Sequence, residues 1–301
     1  MAAENERGEL KDYTRSIKIQ QVIRFIVCIL ITIIAVLPIY VIVVNATRTH
    51  SDITSNPMSL VPGGDLITNF KNLTDPSYQE ATYTRRFNLF YGYLNSFIVS
   101  GSATILTVFF SGATAYGLSV YNFKLRKAAR TIILAVMMIP TQVVSVGLLR
   151  FMMMIGWTNN FAPLIIPAIA APATVFFMLQ YMQSSFPIDI VEAARIDGSG
   201  EFRTFMQIAI PMLKPAFAVQ AIFAFVTNWN NYYMPSVLIL RDDIKLKTMP
   251  MMVASVLGIE KFVDDGLNYL VVMLSIIPVV IVYLCLSKFI IRGVALGAVK
   301  G

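Results

Sequence analysis

Long apolar runs alternate with short polar segments along most of the chain. The first run, 22–44, would extend roughly 34 Å as a helix, which is enough to cross a hydrocarbon core of about 30 Å. This run is too long for the apolar part of an ordinary signal peptide, so we interpret it as an uncleaved span. The pattern predicts an all-α, polytopic membrane protein whose six transmembrane helices occupy 22–44, 94–120, 131–156, 161–182, 215–240 and 269–291.

The segments outside these runs define the predicted domain organisation. A charged N-terminal tail, 1–21, precedes a six-span transmembrane domain, 22–293, and a short tail, 294–301, follows it. Prolines and glycines break up a polar external loop, 45–93, between the first two spans. A second polar loop, 183–214, lies between the fourth span and the fifth.

Composition agrees with this organisation and narrows the chemistry. Hydrophobic residues make up 56% of the chain and charged residues 14%, whereas soluble proteins carry roughly 25% charged residues. Cys28 and Cys285 both fall within apolar runs, and the single histidine, His50, lies in a polar loop. These positions predict neither a disulfide framework nor a metal site.

The distribution of lysine and arginine predicts the orientation in the membrane. With the N-terminus inside, most of these residues fall in the inner segments, as the positive-inside rule requires. Both termini and the loop 183–214 are therefore expected to face the cytosol. The net charge of +7 reflects this topology, and nothing in the pattern indicates a nucleic-acid partner.

The loop 183–214 reads as a helical hairpin. Apolar residues of its first helix recur at helical spacing and form one face. Glu192 and Arg195, three positions apart, can pair on another face. Gly198 breaks the chain, because glycine takes positive φ without strain. A second helix is predicted from 201 to 209, ended by the prolines that follow. The small side chains of Ala193 and Ala194 would let a partner approach closely, which suits docking better than catalysis.

This hairpin resembles the cytoplasmic coupling loop of bacterial ABC importer permeases. Glu192, Ala193 and Ala194 are followed after three residues by Gly198, and an Ile-x-Ile-Pro segment ends at Pro211. Asp197 and Phe205 also stand where that family often has them. The resemblance implies the type I permease fold and a hairpin that docks on an ATPase. The coupling residues it implies are Glu192, Ala193, Ala194, Arg195, Asp197 and Gly198.

The resemblance also implies a set of partners and a location. These are a second homologous permease subunit, a cytosolic ATPase dimer, an extracellular or periplasmic sugar-binding protein and the lipid bilayer of the bacterial inner membrane. ATP and Mg would be bound by the ATPase subunits, with no cofactor in this chain. The last residues, 297–301, are similar to the end of the maltose-type permease, which implies that this tail contacts the ATPase.

The energy source must lie outside this polypeptide. The chain lacks the Gly-x-x-x-x-Gly-Lys-Ser/Thr loop that cradles phosphates, and none of the six apolar runs contains a carboxylate. Transporters that run on protons usually place charged groups inside the membrane at a cost of at least about 2.5 kcal/mol each, so the lack of carboxylates in the spans argues against a proton-driven carrier. We expect neither an enzyme nor an ATPase. A secondary transporter that needs no ATPase remains as an alternative.

The fifth span contains the most polar segment of any predicted span. It offers amides, hydroxyls and aromatic rings, which can bind the hydroxyls and the C–H face of a sugar. Its Trp-Asn followed by a proline also resembles the carbohydrate branch of the importer permeases. The alternative is an interfacial aromatic belt with interhelical amide bonds, and an importer for a non-sugar solute also remains open. The residues predicted to line a sugar pathway are Asn228, Trp229, Asn230, Asn231, Tyr232 and Tyr233.

Overall fold

The computed structural model describes the backbone of residues 2–81, 87–258 and 264–298, and the side chains of 17–80, 87–258 and 264–288. Every regular element in these ranges is helical. The first eight helices are α1 (Ala2–Asn45), α2 (His50–Ser55), α3 (Leu66–Thr74), α4 (Pro76–Ala81), α5 (Leu89–Val120), α6 (Arg126–Met137), α7 (Thr141–Met154) and α8 (Ala162–Ile165). The others are α9 (Pro172–Ser185), α10 (Asp189–Ile196), α11 (Glu201–Thr204), α12 (Ile210–Met212), α13 (Lys214–Trp229), α14 (Tyr233–Leu238), α15 (Met249–Leu257) and α16 (Asp265–Ala298).

The described ranges contain four stretches that are long and apolar enough to cross a membrane without a sharp bend. They are Ile17–Asn45, Leu89–Val120, Ala162–Ser185 and Asp265–Lys288. Two further pairs of helices meet the same test together but are sharply bent. Counting each bent pair as one span gives up to six, but the second pair, Glu201–Met212 with Lys214–Trp229, includes part of the loop 183–214 and stops short of the end of the predicted fifth span. The all-α class is confirmed.

The predicted third span, 131–156, is not one helix. It consists of α6 and α7, which meet at an angle of 96°. Pro140 lies at this break with φ −61° and ψ 133°, which is extended backbone. The helix is interrupted here because proline has no N–H to donate and disfavours the helical region for the residue before it. The apolar pattern predicted the length of this segment but not its direction.

The predicted fifth span, 215–240, is also broken. Its helix α13 ends at Trp229 after 16 residues, which is about 24 Å and short of a hydrocarbon core. The Oδ1 atom of Asn231 accepts a hydrogen bond of 3.1 Å from the N–H of Met234, so a side chain replaces the helical bonding at this point. Pro235 then lies inside the short helix α14.

The other prolines do not all bend their helices. Pro38 and Pro278 lie within the uninterrupted helices α1 and α16. Pro172 begins α9, where its missing N–H would be unpaired in any case. A sharp bend in an apolar segment thus accompanies Pro140, whereas Pro38 and Pro278 leave their helices uninterrupted.

The chain divides into two compact units, Met1–Asp75 with Phe262–Met273, and Pro76–Lys261 with Leu274–Gly301. In the first unit, Arg48 is only 8% exposed, and its guanidinium donates to Oδ1 of Asn45 at 3.0 Å and to the carbonyls of Asn56 and Asp52 at 2.7 Å each. The Asn69 amide donates to the carbonyls of Ala46 and Arg48 at 3.0 Å. This part of the predicted external loop is thus folded around a buried arginine.

In the second unit, α5 packs against α9 and α13. Small side chains make this close packing feasible: Ala115 and Ser111 are fully buried, and the ring of Phe217 lies directly over Gly112. The resulting hydrophobic core cluster includes side chains from α5, α9, α10, α13 and the helical segment that follows Gly200. The predicted hairpin is therefore attached to the core of this unit.

Candidate functional site

The first helix of the hairpin, α10, ends in a Schellman motif centred on Gly198. Gly198 has φ +77°, its N–H donates to the carbonyl of Arg195 at 3.0 Å, and the N–H of Ser199 donates to the carbonyl of Ala194 at 2.9 Å. Side chains other than glycine or asparagine rarely adopt this conformation at a helix end. The sequence prediction that Gly198 sets the bend agrees with this geometry.

The second helix is longer than predicted. Helical structure continues from α11 through a π-helical turn, Phe205–Ala209, into α12, so the segment contains Pro211 instead of ending before it. In the π turn the N–H of Ile210 donates to the carbonyl of Phe205, five residues back. This wider turn admits the proline ring without the usual clash with a preceding carbonyl. The segment then meets α13 at an angle of 81°.

The hairpin has a buried inner face. Val191 and Ala209 are fully buried and Phe205 is 5% exposed. The ring of Phe205 lies 5.2 Å from that of Tyr116 and 6.0 Å from that of Phe109, both on α5. Aromatic contacts of this kind anchor the hairpin to the core cluster.

The outer face is exposed and contains most of the predicted coupling residues. Glu192, Ala193, Asp197 and Gly198 are exposed, and Ile196 is 87% exposed. Ala194, however, is only 7% exposed and faces inward. The prediction that both alanines form a surface for a partner is therefore wrong for Ala194, because its position in the helix places its side chain on the buried face of the hairpin.

A cluster of three polar side chains joins the two helices of the hairpin to the end of α5. The Nε atom of Arg195 donates to Oε1 of Glu201 at 2.7 Å, and the hydroxyl of Tyr121 donates to Oε2 of the same carboxylate at 2.7 Å. The guanidinium carbon of Arg195 also lies 5.6 Å from the centre of the Tyr121 ring. The predicted pairing of Arg195 with Glu192 is wrong, because the bend at Gly198 brings Glu201 back to the arginine.

These contacts change the pKa values of the cluster. The hydrogen bond from Arg195, followed by that from Tyr121, lowers the pKa of the Glu201 carboxyl below its ordinary value. Partial burial, followed by the hydrogen bond to Glu201, raises the pKa of Tyr121 to about 12. At neutral pH the carboxylate is therefore charged and the phenol remains a donor.

Sequence reasoning missed Tyr121 and Glu201 as members of the site. Glu201 begins α11 immediately after Gly200, where a carboxylate is typical of a helix start, so its position carried a local signal. Tyr121 lies 80 residues away from Glu201 along the chain. No spacing rule connects two residues that distant.

The fifth-span segment separates into a buried part and an exposed part. Trp229 is 1% exposed, its ring stacks at 5.6 Å on Phe225 and lies edge-on at 4.9 Å from Phe97, and its Nε1–H donates to the carbonyl of Ser275 at 3.0 Å. The prediction that Trp229 lines a sugar pathway is wrong. Its large ring instead fixes α13 against α5 and α16.

The amides on either side of Trp229 face a small cavity. Asn228 and Asn231 line about 100 Å³ together with Val99, Leu148 and Pro235, among others. Asn230 and Tyr232 are exposed, while the hydroxyl of Tyr233 shares a 2.8 Å hydrogen bond with Ser145. The residues predicted for the pathway are thus divided between this cavity, the exposed surface and, for Trp229, the buried core.

Two further predictions concern metals and the C-terminus. Among the residues that the structure describes, no three His, Cys, Asp or Glu side chains come together in a way that could hold a metal ion. The tail 294–301, predicted to contact an ATPase, lies outside the residues whose side chains are described.

Comparison with known proteins assigns this chain to a family. Residues 107–295 match the family described as "Binding-protein-dependent transport system inner membrane component". The chain is 34% identical over 253 residues to the arabinooligosaccharides transport system permease protein AraQ of Bacillus subtilis, a match that covers 81% of this chain and 87% of that protein.

Two further relatives and one solved structure extend the comparison. The melibiose/raffinose/stachyose import permease protein MelC of Bacillus subtilis is 30% identical, with 88% of this chain and 91% of that protein covered. The sn-glycerol-3-phosphate transport system permease protein UgpE of Brucella abortus is 26% identical, with 91% and 96% covered. A chain of a bacterial ABC transporter involved in the import of the acidic polysaccharide alginate has the same fold, with a TM-score of 0.72, 21% identity and coverage of 91% and 97%.

Proposed function

Because this chain belongs to the family of binding-protein-dependent transport system inner membrane components, we propose that it imports an oligosaccharide as one of two permease subunits of an ATP-driven transporter. It supplies half of the translocation pathway and no catalytic step. The observation that carries the proposal is the hairpin 189–212, whose inner face is buried in the protein core and whose outer face is exposed. Such an element can receive a force from a partner and transmit it inward.

Oligosaccharides are the substrate class that the relatives and the fifth span both support. Two of the relatives are named for arabinooligosaccharides and for melibiose, raffinose and stachyose. The exposed side chains of Asn230 and Tyr232, with the cavity amides of Asn228 and Asn231, offer hydrogen bonds to sugar hydroxyls. Tyr233 adds a ring near these groups, and Trp229 holds the helix that presents them.

The partners follow from the role of a permease. A second permease subunit completes the pathway, and an external binding protein delivers the sugar. A cytosolic ATPase dimer binds ATP and Mg and supplies the work. Closing of the ATPase dimer would move the hairpins of both permeases together, and this rigid-body movement would convert the pathway from inward-facing to outward-facing.

Individual hairpin residues have separate roles in this proposal. Glu192 and Asp197 present carboxylates on the exposed face to the ATPase, and Ala193 permits close approach because it is small and exposed. Gly198 sets the bend. Arg195 orients the hairpin because its bond to Glu201 links the two helices of the hairpin to each other.

The topology completes the proposal. The lysine and arginine distribution supports an inner-membrane protein whose tails, 1–21 and 294–301, and hairpin face the cytosol, on either side of a functional domain of 22–293. The loop 45–93 then faces outward, toward the binding protein.

Purification of the complex from its host membrane, through an affinity tag on this chain, tests the function. In proteoliposomes containing the whole complex and its binding protein, labelled raffinose or arabinotriose should accumulate only with ATP. Excess unlabelled sugar should compete, whereas sn-glycerol-3-phosphate should not. Uptake that responds only to sn-glycerol-3-phosphate would show that the solute is not a sugar.

A further inference from the structure

The second helix of the hairpin is fastened to α5 at two separate points. Phe205 supplies an apolar contact with Tyr116 at 5.2 Å between ring centres. Glu201 supplies a polar contact with Tyr121 at 2.7 Å. The two hairpin residues are four apart and so lie on one face of the helix, and their partners on α5 are neighbours whose rings are 6.1 Å apart.

Two attachment points behave differently from one. Apolar contacts are non-directional, so the packing of Phe205 and the rest of the buried face holds the hairpin to the core but allows it to tilt, and part of a push from outside would then be lost. A second contact one helical turn away removes that freedom, because the helix and the end of α5 must then move together. Glu201 is the residue that provides this second contact in the described structure.

The Glu201 carboxylate is also held from the other helix of the hairpin. Arg195 donates to its Oε1 atom while Tyr121 donates to Oε2, so the two oxygens are bonded in different directions. The charge-assisted bond to Arg195 keeps the carboxylate ionised and in place. As a result α10, α11 and α5 meet at one side chain.

The end of α5 passes the connection on to a further helix. Arg126 of α6 donates to the carbonyls of Leu118 and Ser119 at 2.7 and 3.0 Å, and Arg130 donates to the carbonyl of Leu118 at 2.8 Å. These bonds satisfy the last carbonyls of α5, which have no partner within the helix. Tyr121 therefore lies between the hairpin and a helix end that is itself tied to α6.

We propose that Glu201 is the strut of the coupling hairpin, a positioning residue whose carboxylate binds Tyr121 and Arg195 so that displacement of the hairpin moves α5 and α6 as one body. The inference rests on the proposed function, since it specifies how the hairpin transmits its movement. Removal of the strut leaves the hairpin attached only by its apolar face. The ATPase then still closes, but less of its movement reaches the spans.

The test compares Tyr121→Phe, Glu201→Gln and their double variant in the complete complex, reconstituted with its binding protein. The matched control is Tyr181→Phe, because Tyr181 packs against the same core cluster and loses the same atom. Sugar transported per ATP hydrolysed, with raffinose or arabinotriose as probe, should fall at least about threefold in both single variants. The double variant should be no worse, and Glu201→Asp should retain an intermediate ratio.

Three results would overturn the strut. These are an unchanged ratio in both single variants, additive losses in the double variant, or an equal loss in Tyr181→Phe. If the wild-type complex shows no ATP-dependent uptake, the proposed function fails instead. Hydrogen exchange of the hairpin 189–212 then decides the attachment separately: both variants should exchange about threefold faster than the control, and equal rates would refute it.

Discussion

The indole N–H of Trp229 donates a hydrogen bond of 3.0 Å to the backbone carbonyl of Ser275. Because α13 ends at Trp229 and Ser275 lies inside α16, this bond joins the end of one helix to the middle of another. The same ring packs on Phe97 of α5. The residue that looked most like a sugar-stacking platform is thus a structural junction of three helices.

We expect Trp229 and Tyr232 to affect different properties. Trp229→Ala should destabilise the protein by about 3 to 5 kcal/mol, because a fully buried ring and its hydrogen bond are lost, and Trp229→Phe by about 1 kcal/mol. Thermal unfolding of the detergent-solubilised complex measures both. Tyr232→Ala should instead leave the unfolding midpoint unchanged and raise the KM for sugar uptake. A raised KM in Trp229→Phe, at unchanged stability, would restore tryptophan to the pathway.

Gly198→Val should abolish transport while the protein remains in the membrane. Its φ of +77° strains a β-branched residue by about 1 kcal/mol or more, and the strain falls on the bend that orients the exposed face. Gly198→Asn is the control, since asparagine tolerates the left-handed region. Immunoblotting of membranes and sugar uptake check the pair. Equal uptake by the Val and Asn variants would show that the bend geometry is unimportant.

The contribution of Glu201 should depend on pH in a defined direction. Its pKa is lowered in the folded protein from an ordinary value of 4.5, so its stabilising effect is present above that value and is lost as the pH falls through the lower folded pKa. The difference in unfolding midpoint between wild type and Glu201→Gln should therefore be constant from about pH 6 to about pH 9. It should shrink below pH 4.5, and a difference that grows there would contradict the assignment.

The alkaline side tests Tyr121 in the same way. Its pKa is raised to about 12, so its stabilising effect is present below the ordinary tyrosine value of 10.0 and disappears only as the pH rises through the folded value. Tyrosinate absorbance of wild type minus Tyr121→Phe should accordingly lack a component that titrates near pH 10. Such a component would show that the phenol does not bind Glu201 in solution.

Arg48→Lys should loosen the folded part of the external loop nearly as much as Arg48→Ala. The guanidinium bonds three acceptors from a buried position, and an ammonium cannot reproduce that planar arrangement. Gly266→Ala should have a similar effect, because a Cβ there would lie 2.6 Å from the carbonyl oxygen of Arg48. Limited proteolysis of the loop 45–81 measures both, with Lys71→Gln as an exposed control. Wild-type resistance in Arg48→Ala would refute the structural role.

The sequence predicted the helical class and the hairpin because these depend on local patterns. Apolar runs and the bend at Gly198 each follow from neighbouring residues. The direction of α6 relative to α7 does not, since a proline permits a break without specifying 96°. The same holds within the hairpin: Glu192 and Arg195 are correctly spaced to pair, yet Glu201 reaches the arginine first once the chain has turned at Gly198.

Burial explains the other errors. Ala194 and Trp229 belong to stretches whose neighbours are exposed, and only the packing of α5, α9 and α13 determines which side of each helix is covered. An amide or aromatic run of this kind fits an interhelical contact and a sugar pathway equally well. In this segment Trp229 makes the interhelical contact, and we propose that its amides and tyrosines face the sugar pathway.

ATP-driven accumulation of labelled raffinose or arabinotriose, measured together with ATP hydrolysis in proteoliposomes, tests the central claim most directly. The account predicts uptake by the complete complex with ATP, no uptake by this chain and its companion permease alone, and continued hydrolysis without uptake in the Gly198→Val complex. Accumulation by the permease subunits without ATPase, or full uptake with the hairpin disrupted, would contradict it.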